Sequence, residues 1–365
     1  MLPNLKTSIE MNIRQASSQY ESWLAQHLRL LPADLRLKHQ RMREDAFPFL
    51  RATYYRWAAI WPEVCAKFGL GPRVLSVGDL HVENFGTWRD TDGRLVWGVN
   101  DFDEAYPLPY TNDLVRLATS AFLACEELDV PPKRAAAEIL RGYSEGLKAG
   151  GEPFVLADRS TALRDMARHR LIAPEKFWKK LRFLVPLKNR PRPEVIKAIQ
   201  SILPPGKITL RFAHRIAGLG SLGRERFTSL GFWLGGTIAR EAKAVAPSAC
   251  SFAEGKNGAP IHIEEIVRRA VRVPDPFWRI RGRWIARRLS PDCFRLELAH
   301  LPRERDELYL LHCMGWETAN IHLGSGAAAA RAIRRDLRGK PRHWLFKAAS
   351  QMRDQVMEDW REFST

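Results

Sequence analysis

Two short β-rich runs, each followed by acidic and amide side chains, constrain the fold of this chain more than any other feature. The runs are VLSV at 74–77 and LVWGVNDF at 95–102, with Asp92-Gly93 between them. Valine-rich and aromatic segments on either side of an Asp-Gly pair are typical of a β-hairpin. The sequence therefore predicts that the two runs pair and bring their polar ends to one edge of a small sheet.

The side chains at that edge have the types that phosphoryl transfer needs. GDLHVEN at 78–84 places Asp79 five residues before Asn84, and the second run ends in NDFDE at 100–104. In phosphoryl transfer one carboxylate orients the attacking hydroxyl, while an amide oxygen and a second carboxylate hold Mg²⁺ on the nucleotide phosphates. Asp79, Asn84 and Asp101 are the candidates for these three tasks.

Other interpretations of GDLHVEN stay open on these residues alone. Its Asp and Asn side chains could do no more than cap turns, as such residues often do. A metal site could use His81 and Asp79, although no third histidine lies nearby. A serine nucleophile is a weaker hypothesis, because Ser76 lies inside the predicted strand.

A glycine-rich motif follows Asn84 by more than 130 residues. Residues 218–223, GLGSLG, fit the GxGxxG pattern. In a dinucleotide-binding unit this motif would open a helix, and Glu241 would be the ribose-binding acid. The segments on either side, ITLRFAHRIAG and RFTSLGFWLGG, are β-rich instead. They favour a β-hairpin that covers phosphates.

A kinase-type glycine loop also predicts a lysine on the next strand and a glutamate on the following helix. Lys243 in AREAKAV fills the first place, with Arg240 as the alternative cation. Glu265 fills the second place, with Glu264 as its alternative. Because the chain contains 58 Lys and Arg residues, an ordinary surface role for Lys243 is also open.

These segments resemble a known family. GDLHVEN resembles the catalytic loop of aminoglycoside phosphotransferases and choline kinases, a branch of the protein-kinase-like superfamily, and VNDFDEA resembles the metal-binding segment that follows it. More closely, the chain from about Arg41 onward resembles the bacterial family of unknown function DUF2252. The segments that carry this resemblance are GDLHVENFG, NDFDEA, NDLVRLATS, GLGSLG, AKAVAPS and GWETANIHLGSG.

The resemblance implies an α+β, protein-kinase-like two-lobe fold in circularly permuted order, with the catalytic half before the glycine-rich β lobe. It implies that Asp113 braces the catalytic loop, and that Asp103 is a second metal contact or an idle neighbour. The implied roles of the other residues are catalytic base (Asp79), metal ligands (Asn84, Asp101), phosphate cover (Gly218, Gly220, Ser221, Gly223), phosphate-contacting lysine (Lys243) and its partner (Glu265).

The expected organisation has four parts. An N-terminal helical extension (1–40) precedes a catalytic half (41–205), whose aromatic-rich helical start is predicted to be core. A small β-rich half (206–305) includes CFRLELAHL as a predicted strand, and C-terminal helices (306–365) return to pack on the catalytic half. The proline-rich stretch 186–206 is predicted to be a boundary or exposed connector.

Composition limits the partners and the compartment. The formal net charge of +17 and a pI near 10.0 favour a polyanion such as nucleic acid, an anionic membrane surface or a phosphate-bearing ligand, or simply give a solvated basic surface. Five scattered cysteines without CxxC spacing predict a reduced, cytoplasmic protein. No apolar run of about 18 residues and no signal core occur, so no membrane association is expected.

The sequence leads to the expectation of an ATP- and Mg²⁺-dependent phosphotransferase that acts on a small-molecule hydroxyl or similar acceptor. Nucleotidyl transfer on the same fold is one alternative. A non-catalytic kinase-like scaffold with a basic, nucleic-acid-binding surface is another. Neither the acceptor nor the oligomeric state can be derived from the residues.

Overall fold

The computed structural model describes residues 11–124, 130–156, 160–168, 173–295 and 304–365, and has a mixed α+β architecture. The helices are α1 Ile13–Ala25, α2 Pro32–Glu44, α3 Ala46–Ala52, α4 Tyr54–Val64, α5 Thr111–Ala124, α6 Pro132–Ala149, α7 Thr161–Arg168, α8 Pro174–Arg182, α9 Pro193–Gln200, α10 Ala249–Ala253, α11 Ile263–Arg269, α12 Glu304–Leu323, α13 Ala327–Gly339 and α14 Trp344–Ser364. The strands are β1 Arg73–Ser76, β2 Phe85–Arg89, β3 Leu95–Val99, β4 Tyr106–Pro109, β5 Phe154–Val155, β6 Arg211–His214, β7 Arg226–Trp233, β8 Gly236–Ala244, β9 Trp278–Arg281 and β10 Trp284–Leu289.

The predicted pairing of 74–77 with 95–102 is wrong. β1 pairs antiparallel with β4, so that Ser76 lies opposite Tyr106. Across the Asp92-Gly93 turn β3 pairs with β2, with Phe85 opposite Val99, and the other edge of β3 pairs with β5. The tight turn at Asp92-Gly93 fixes this register, because the residues nearest the turn on either side pair first. β2 therefore takes the place that the sequence suggested for β1.

A helical core surrounds these small sheets. The aromatic-rich segment predicted as core is buried, including Phe49, Trp57 and Trp61. α6 and α12 cross closely because glycines lie at the crossing. A Cβ added at Gly142 would overlap the carbonyl of His312, and one at Gly315 would overlap that of Ile139. Small residues at a helix crossing allow the two backbones to approach.

The C-terminal helices pack on helices of the 41–205 half. α12 lies along α6, and α14 lies along α5. A buried ion pair joins Arg56 of α4 to Asp359 of α14, with the Arg56 Nε donating to Asp359 Oδ2 over 3.0 Å. The N-terminal helices belong to the same core, since Tyr20 of α1 stacks on Tyr55 of α4 with ring centroids 4.3 Å apart.

The second β region is a five-stranded antiparallel sheet in the order β6-β7-β8-β10-β9. The stretch 186–206, predicted to be a boundary or exposed connector, is not exposed throughout, because α9 buries Val195, Ala198 and Ile199 against this sheet, while 188–190 and 205–206 are exposed. Pro193 is compatible with the helix because it occupies the first turn, where the missing N–H is not needed. The predicted strand CFRLELAHL lies mostly outside the described residues. Cys125 also lies outside them.

Candidate functional site

The loop after β1 is held by Asp113, the residue that the resemblance gives as its brace. Its Oδ2 accepts a hydrogen bond from the Val77 N–H over 2.7 Å, and its Oδ1 accepts one from the Gly78 N–H over 3.0 Å. His322 of α12 contacts Oδ2 from the other side, at 3.1 Å. Gly78 has φ of +82°, a conformation that favours glycine. The loop therefore leaves β1 along a path that presents the next residue, Asp79, to a cleft.

One oxygen of Asp79, Oδ1, is held by an arginine. Arg116, fully buried on α5, donates to Asp79 Oδ1 from Nη2 over 2.6 Å and from Nε over 2.8 Å. Among the described residues, no hydrogen bond reaches Asp79 Oδ2. Burial raises the pKa of Asp79 above its ordinary value, although the Arg116 guanidinium opposes this change. The free oxygen is thus a stronger proton acceptor than that of a solvated aspartate.

Asn84 joins the two predicted polar segments. Its Nδ2 donates to the backbone carbonyl of Asp79 over 3.1 Å and to that of Asp101 over 3.0 Å. Two carbonyl acceptors fix the orientation of the amide, because only the NH₂ group can donate to them. The buried Oδ1 of Asn84 then has no hydrogen-bond donor in the described part of the chain. It is an oxygen available to a cation.

The carboxylates of Asp101 and Asp103 share the ammonium group of Lys243, near the end of β8. Lys243 Nζ lies 3.2 Å from Asp101 Oδ1 and 2.7 Å from Asp103 Oδ2. Burial raises the pKa of Asp101, but the charges of Lys243 and Arg287 and the hydrogen bonds with Asp103 and Lys243 together hold the pKa below its ordinary value. Burial and the neighbouring Asp101 charge raise the pKa of Asp103. The less exposed Asp103 is therefore the one that keeps a proton more readily.

The glycine loop 218–223 lies against the Asp79 loop. A Cβ added at Gly220 would be 2.9 Å from the Arg51 carbonyl oxygen and 3.7 Å from Asp79 Oδ2. Gly218, Gly220 and Ser221 line the same cleft as Asp79, Asn84 and Asp101, which we call the central cleft. Its cavity of about 60 Å³ has room for a few water molecules.

Gly223, the last glycine of the motif, packs against α2. It has φ of +95°, a Cβ added to it would overlap the Leu35 side chain, and its carbonyl accepts the Leu31 N–H over 2.8 Å. Ser221 Oγ accepts a hydrogen bond from Arg226 Nη2 over 2.7 Å. The loop is thus held on one side by the start of α2 and on the other by β7.

The expected pairing of Glu265 with Lys243 is wrong. Glu265 lies on the solvent face of the short α11, where it contacts His262 at 3.0 Å and Arg269 at 2.8 Å. The carboxylate partners of Lys243 are Asp101 and Asp103 instead. The prediction placed the glutamate by its distance along the chain, but α11 presents that position to solvent.

The alternatives for the cation and for the ribose acid are also decided by geometry. Arg240 is three residues from Lys243, so the two side chains leave opposite faces of β8. The Arg240 Nε donates to the Ile202 carbonyl over 2.9 Å, on the side of α9. Glu241 is fully buried and pairs with Arg215 and Arg226, each at 2.6 Å. Of Arg240 and Lys243, it is Lys243 that contacts Asp101 and Asp103 in the central cleft.

Basic residues that the motifs did not identify complete the cleft wall. They are Lys38, Arg51, Arg224 and Arg295. Arg51 pairs with Glu83 at 2.5 Å, and Arg224 contacts Glu104 at 3.3 Å. The sequence contains one signal for Lys38, because helical spacing places it on the same face of α2 as the buried Met42. A lysine on a buried helix face is unusual.

The cleft offers few protein ligands to a metal ion. No group of three or more His, Cys, Asp or Glu side chains suited to a metal occurs within the described ranges. Mg²⁺ often takes only one or two protein carboxylates and fills its remaining positions with water and substrate phosphates. The free Asn84 Oδ1 and the Asp101 carboxylate are hard oxygen donors of that kind.

Comparison with known proteins gives one match. Residues 29–171 match the family DUF2252, described as an uncharacterized protein conserved in bacteria. The match supports the resemblance over the segment that contains Asp79, Asn84 and Asp101, and it ends before the glycine loop. No curated protein and no solved structure matches the chain. In the ranges given above, no helix is both long and apolar enough to cross a membrane.

Proposed function

We propose that this protein is an ATP- and Mg²⁺-dependent phosphotransferase, with a circularly permuted protein-kinase-like fold, that acts on a small-molecule hydroxyl. One observation carries the proposal. Parts of the chain more than 130 residues apart converge on one cleft, with Gly220 against Asp79 and Lys243 on Asp101. A basic surface that only bound a polyanion would need neither contact.

Each group has a chemical task in this proposal. Asp79 Oδ2 accepts the proton of the acceptor hydroxyl while Arg116 holds the other oxygen and keeps the carboxylate oriented. The hydroxyl oxygen forms a bond to the γ-phosphorus, and the bond between that phosphorus and the leaving ADP oxygen breaks. Asn84 and Asp101 would hold Mg²⁺, which supplies neutralisation of the phosphate charge.

Binding of a nucleotide requires the cleft to open. The present cavity is much smaller than ATP, because Gly220 lies close to Asp79 and Lys243 occupies the carboxylates. We propose that the five-stranded sheet, with its glycine loop, moves away from the helical half and closes again over the phosphates. Lys243 would then exchange its contact with Asp103 for one with a phosphate oxygen.

Calorimetric titration with ATP and Mg²⁺ tests the binding part of this proposal. Lys243→Met and Asp101→Asn should each weaken binding by tenfold or more, whereas Lys256→Met should not. Lys256 is the matched control, since it pairs with Glu254 at the surface over 2.7 Å. Equal affinities in Lys243→Met and Lys256→Met would contradict the assignment of the cleft.

A metabolite panel with labelled ATP tests the chemistry. Label at the γ-phosphate should reach the product, and Asp79→Ala should reduce the rate by about 10²- to 10⁴-fold as expected for loss of a general base. Transfer of α-phosphate label would instead identify a nucleotidyl transferase. A protein that binds nucleic acid in a steeply salt-dependent way, but does not bind ATP, would be a scaffold.

A further inference from the structure

Lys38 is a nearly buried lysine in the wall of the central cleft, and its ammonium group has no ionic partner among the described residues. Only 4% of the residue is exposed. Within the described ranges it has no hydrogen bond or ion pair, and the aromatic ring over which it lies, that of Tyr55, is 6.0 Å away at its centroid. An isolated buried charge is costly, so lysines of this kind are normally paired.

The carboxylates nearest to Lys38 are engaged elsewhere. Glu21 contacts His39 at 2.6 Å. Glu104 contacts Arg224 at 3.3 Å and accepts the Ala249 N–H over 2.6 Å. Asp79 is held by Arg116. Each of these groups has its own donor, and no acceptor in the described part of the chain engages the three N–H donors of Lys38.

The position of Lys38 is nevertheless fixed with respect to the glycine loop. The N–H of Leu31, which begins the turn into α2, donates to the Gly223 carbonyl, and Asp34 Oδ2 lies 2.9 Å from His214 Nε2 on β6. Lys38 follows Asp34 by one helical turn and lines the same cleft as Gly218 and Asp79. A rigid helix therefore presents an unpaired cation to the side of the cleft where the glycine loop meets the Asp79 loop.

We propose that Lys38 is an anion-binding residue of the central cleft and that it binds a phosphate group of the ligand beside Asp79. The inference rests on the proposed function for the identity of the reaction, but not for the existence of the phosphate site. The phosphate could belong to the nucleotide or to a phosphorylated acceptor. Both present the same oxygens to the ammonium group.

The electrostatics of the site are consistent with this role. Burial lowers the pKa of Lys38 to about 8, opposed by the charge of Glu21 and assisted by that of Arg224. An incoming phosphate dianion would stabilise the charged form and give the ammonium the hydrogen bonds that it lacks. The other cleft cations Arg51 and Arg224 already contact carboxylates.

The test compares Lys38→Met with the wild type, with Lys38→Arg as the conservative variant and Lys148→Met, an exposed lysine near the end of α6, as the control. Titrations use inorganic phosphate and, separately, ATP with Mg²⁺. Lys38→Met should weaken phosphate binding by about 10- to 100-fold, as expected for a charge-assisted hydrogen bond. Lys38→Arg should bind more tightly than Lys38→Met, and Lys148→Met should match the wild type.

Thermal unfolding of the unliganded protein gives an independent readout. A structural lysine would lower the melting temperature on replacement, whereas removal of an unpaired buried charge should leave it unchanged or raise it. Weaker binding of ATP in Lys38→Met would assign the phosphate to the nucleotide. Weaker binding of inorganic phosphate alone would assign it to the acceptor.

Two results would overturn the inference. One is an affinity within twofold of the wild type for both ligands in Lys38→Met, whether or not the melting temperature falls. The other is that the wild type binds neither phosphate nor ATP. Failure of the phosphotransferase proposal is separate, because it would appear as unchanged ATP binding in Lys243→Met while Lys38→Met still lost phosphate.

Discussion

Replacement of Asp113 by alanine should destabilise the protein strongly, since its buried carboxylate accepts hydrogen bonds from two backbone amides of the Asp79 loop. The N–H groups of Val77 and Gly78 donate to it over 2.7 and 3.0 Å, and Asp113 is fully buried. An unsatisfied buried amide costs about 1–3 kcal/mol. Two of them predict a loss of about 2–6 kcal/mol in the free energy of unfolding.

The asparagine variant divides this effect. Asp113→Asn keeps one acceptor oxygen and replaces the other with an NH₂ group, so one amide stays satisfied. Its expected loss is about half that of alanine, on the order of 1–3 kcal/mol. Because folded domains are stable by only about 5–15 kcal/mol, urea unfolding followed by tryptophan fluorescence will resolve both changes.

The control is Glu138→Ala on α6. Glu138 forms an exposed ion pair with Arg141 at 2.5 Å, and such pairs contribute about 0–1 kcal/mol. A loss below about 1 kcal/mol in Asp113→Ala, equal to the loss in Glu138→Ala, would refute the reasoning that Asp113 braces the loop. Equal losses in the asparagine and alanine variants would refute the division between its two oxygens.

Two further predictions concern the pH dependence and the glycine loop. Burial raises the pKa of Glu317 from its ordinary value of 4.5 to about 7; the folded state therefore binds this proton more tightly, and the resulting stability is complete below about pH 4.5 and lost as the pH rises through about 7. In the wild type the free energy of unfolding should fall by on the order of 3 kcal/mol between pH 4.5 and 7 because of Glu317, and in Glu317→Gln that fall should be absent. Urea denaturation at several pH values measures it, and the same pH dependence in both proteins would contradict the raised pKa of Glu317. Gly223→Ala should be more destabilising than Gly150→Ala by about 1–3 kcal/mol, because both glycines have positive φ but only Gly223 would bring a Cβ against Leu35. Equal melting temperatures for the two alanine variants would show that Leu35 yields to the added methyl group.

The sequence predicted the parts of the site that depend on short spacing. Asp79 and Asn84 lie five residues apart in one loop, and the hairpin of β2 and β3 brings Asp101 back beside Asn84. The pairing of β1 failed at a longer range. β propensity describes how well a segment fits a sheet, but it does not identify the partner strand.

Lys38 and Glu265 show why other parts could not be predicted. Glu265 has the expected distance along the chain from Lys243, yet the face of α11 on which it lies is set by tertiary packing. Lys38 belongs to the site only because α2 contacts the glycine loop through Gly223. Neither fact is written in the local sequence.

The Arg56–Asp359 ion pair, which joins residues 303 positions apart, has a consequence for how the chain acquires its structure. During synthesis the Asp79 loop is complete long before Lys243 or α14 exists. Residues 41–205 therefore gain these contacts late, and each such contact closes a very large loop. Loop-closure entropy is lost before such contacts can repay it, and chains dominated by distant contacts fold slowly. We expect refolding to be limited by the docking of the C-terminal helices, with the Asp79 loop ordered only afterwards.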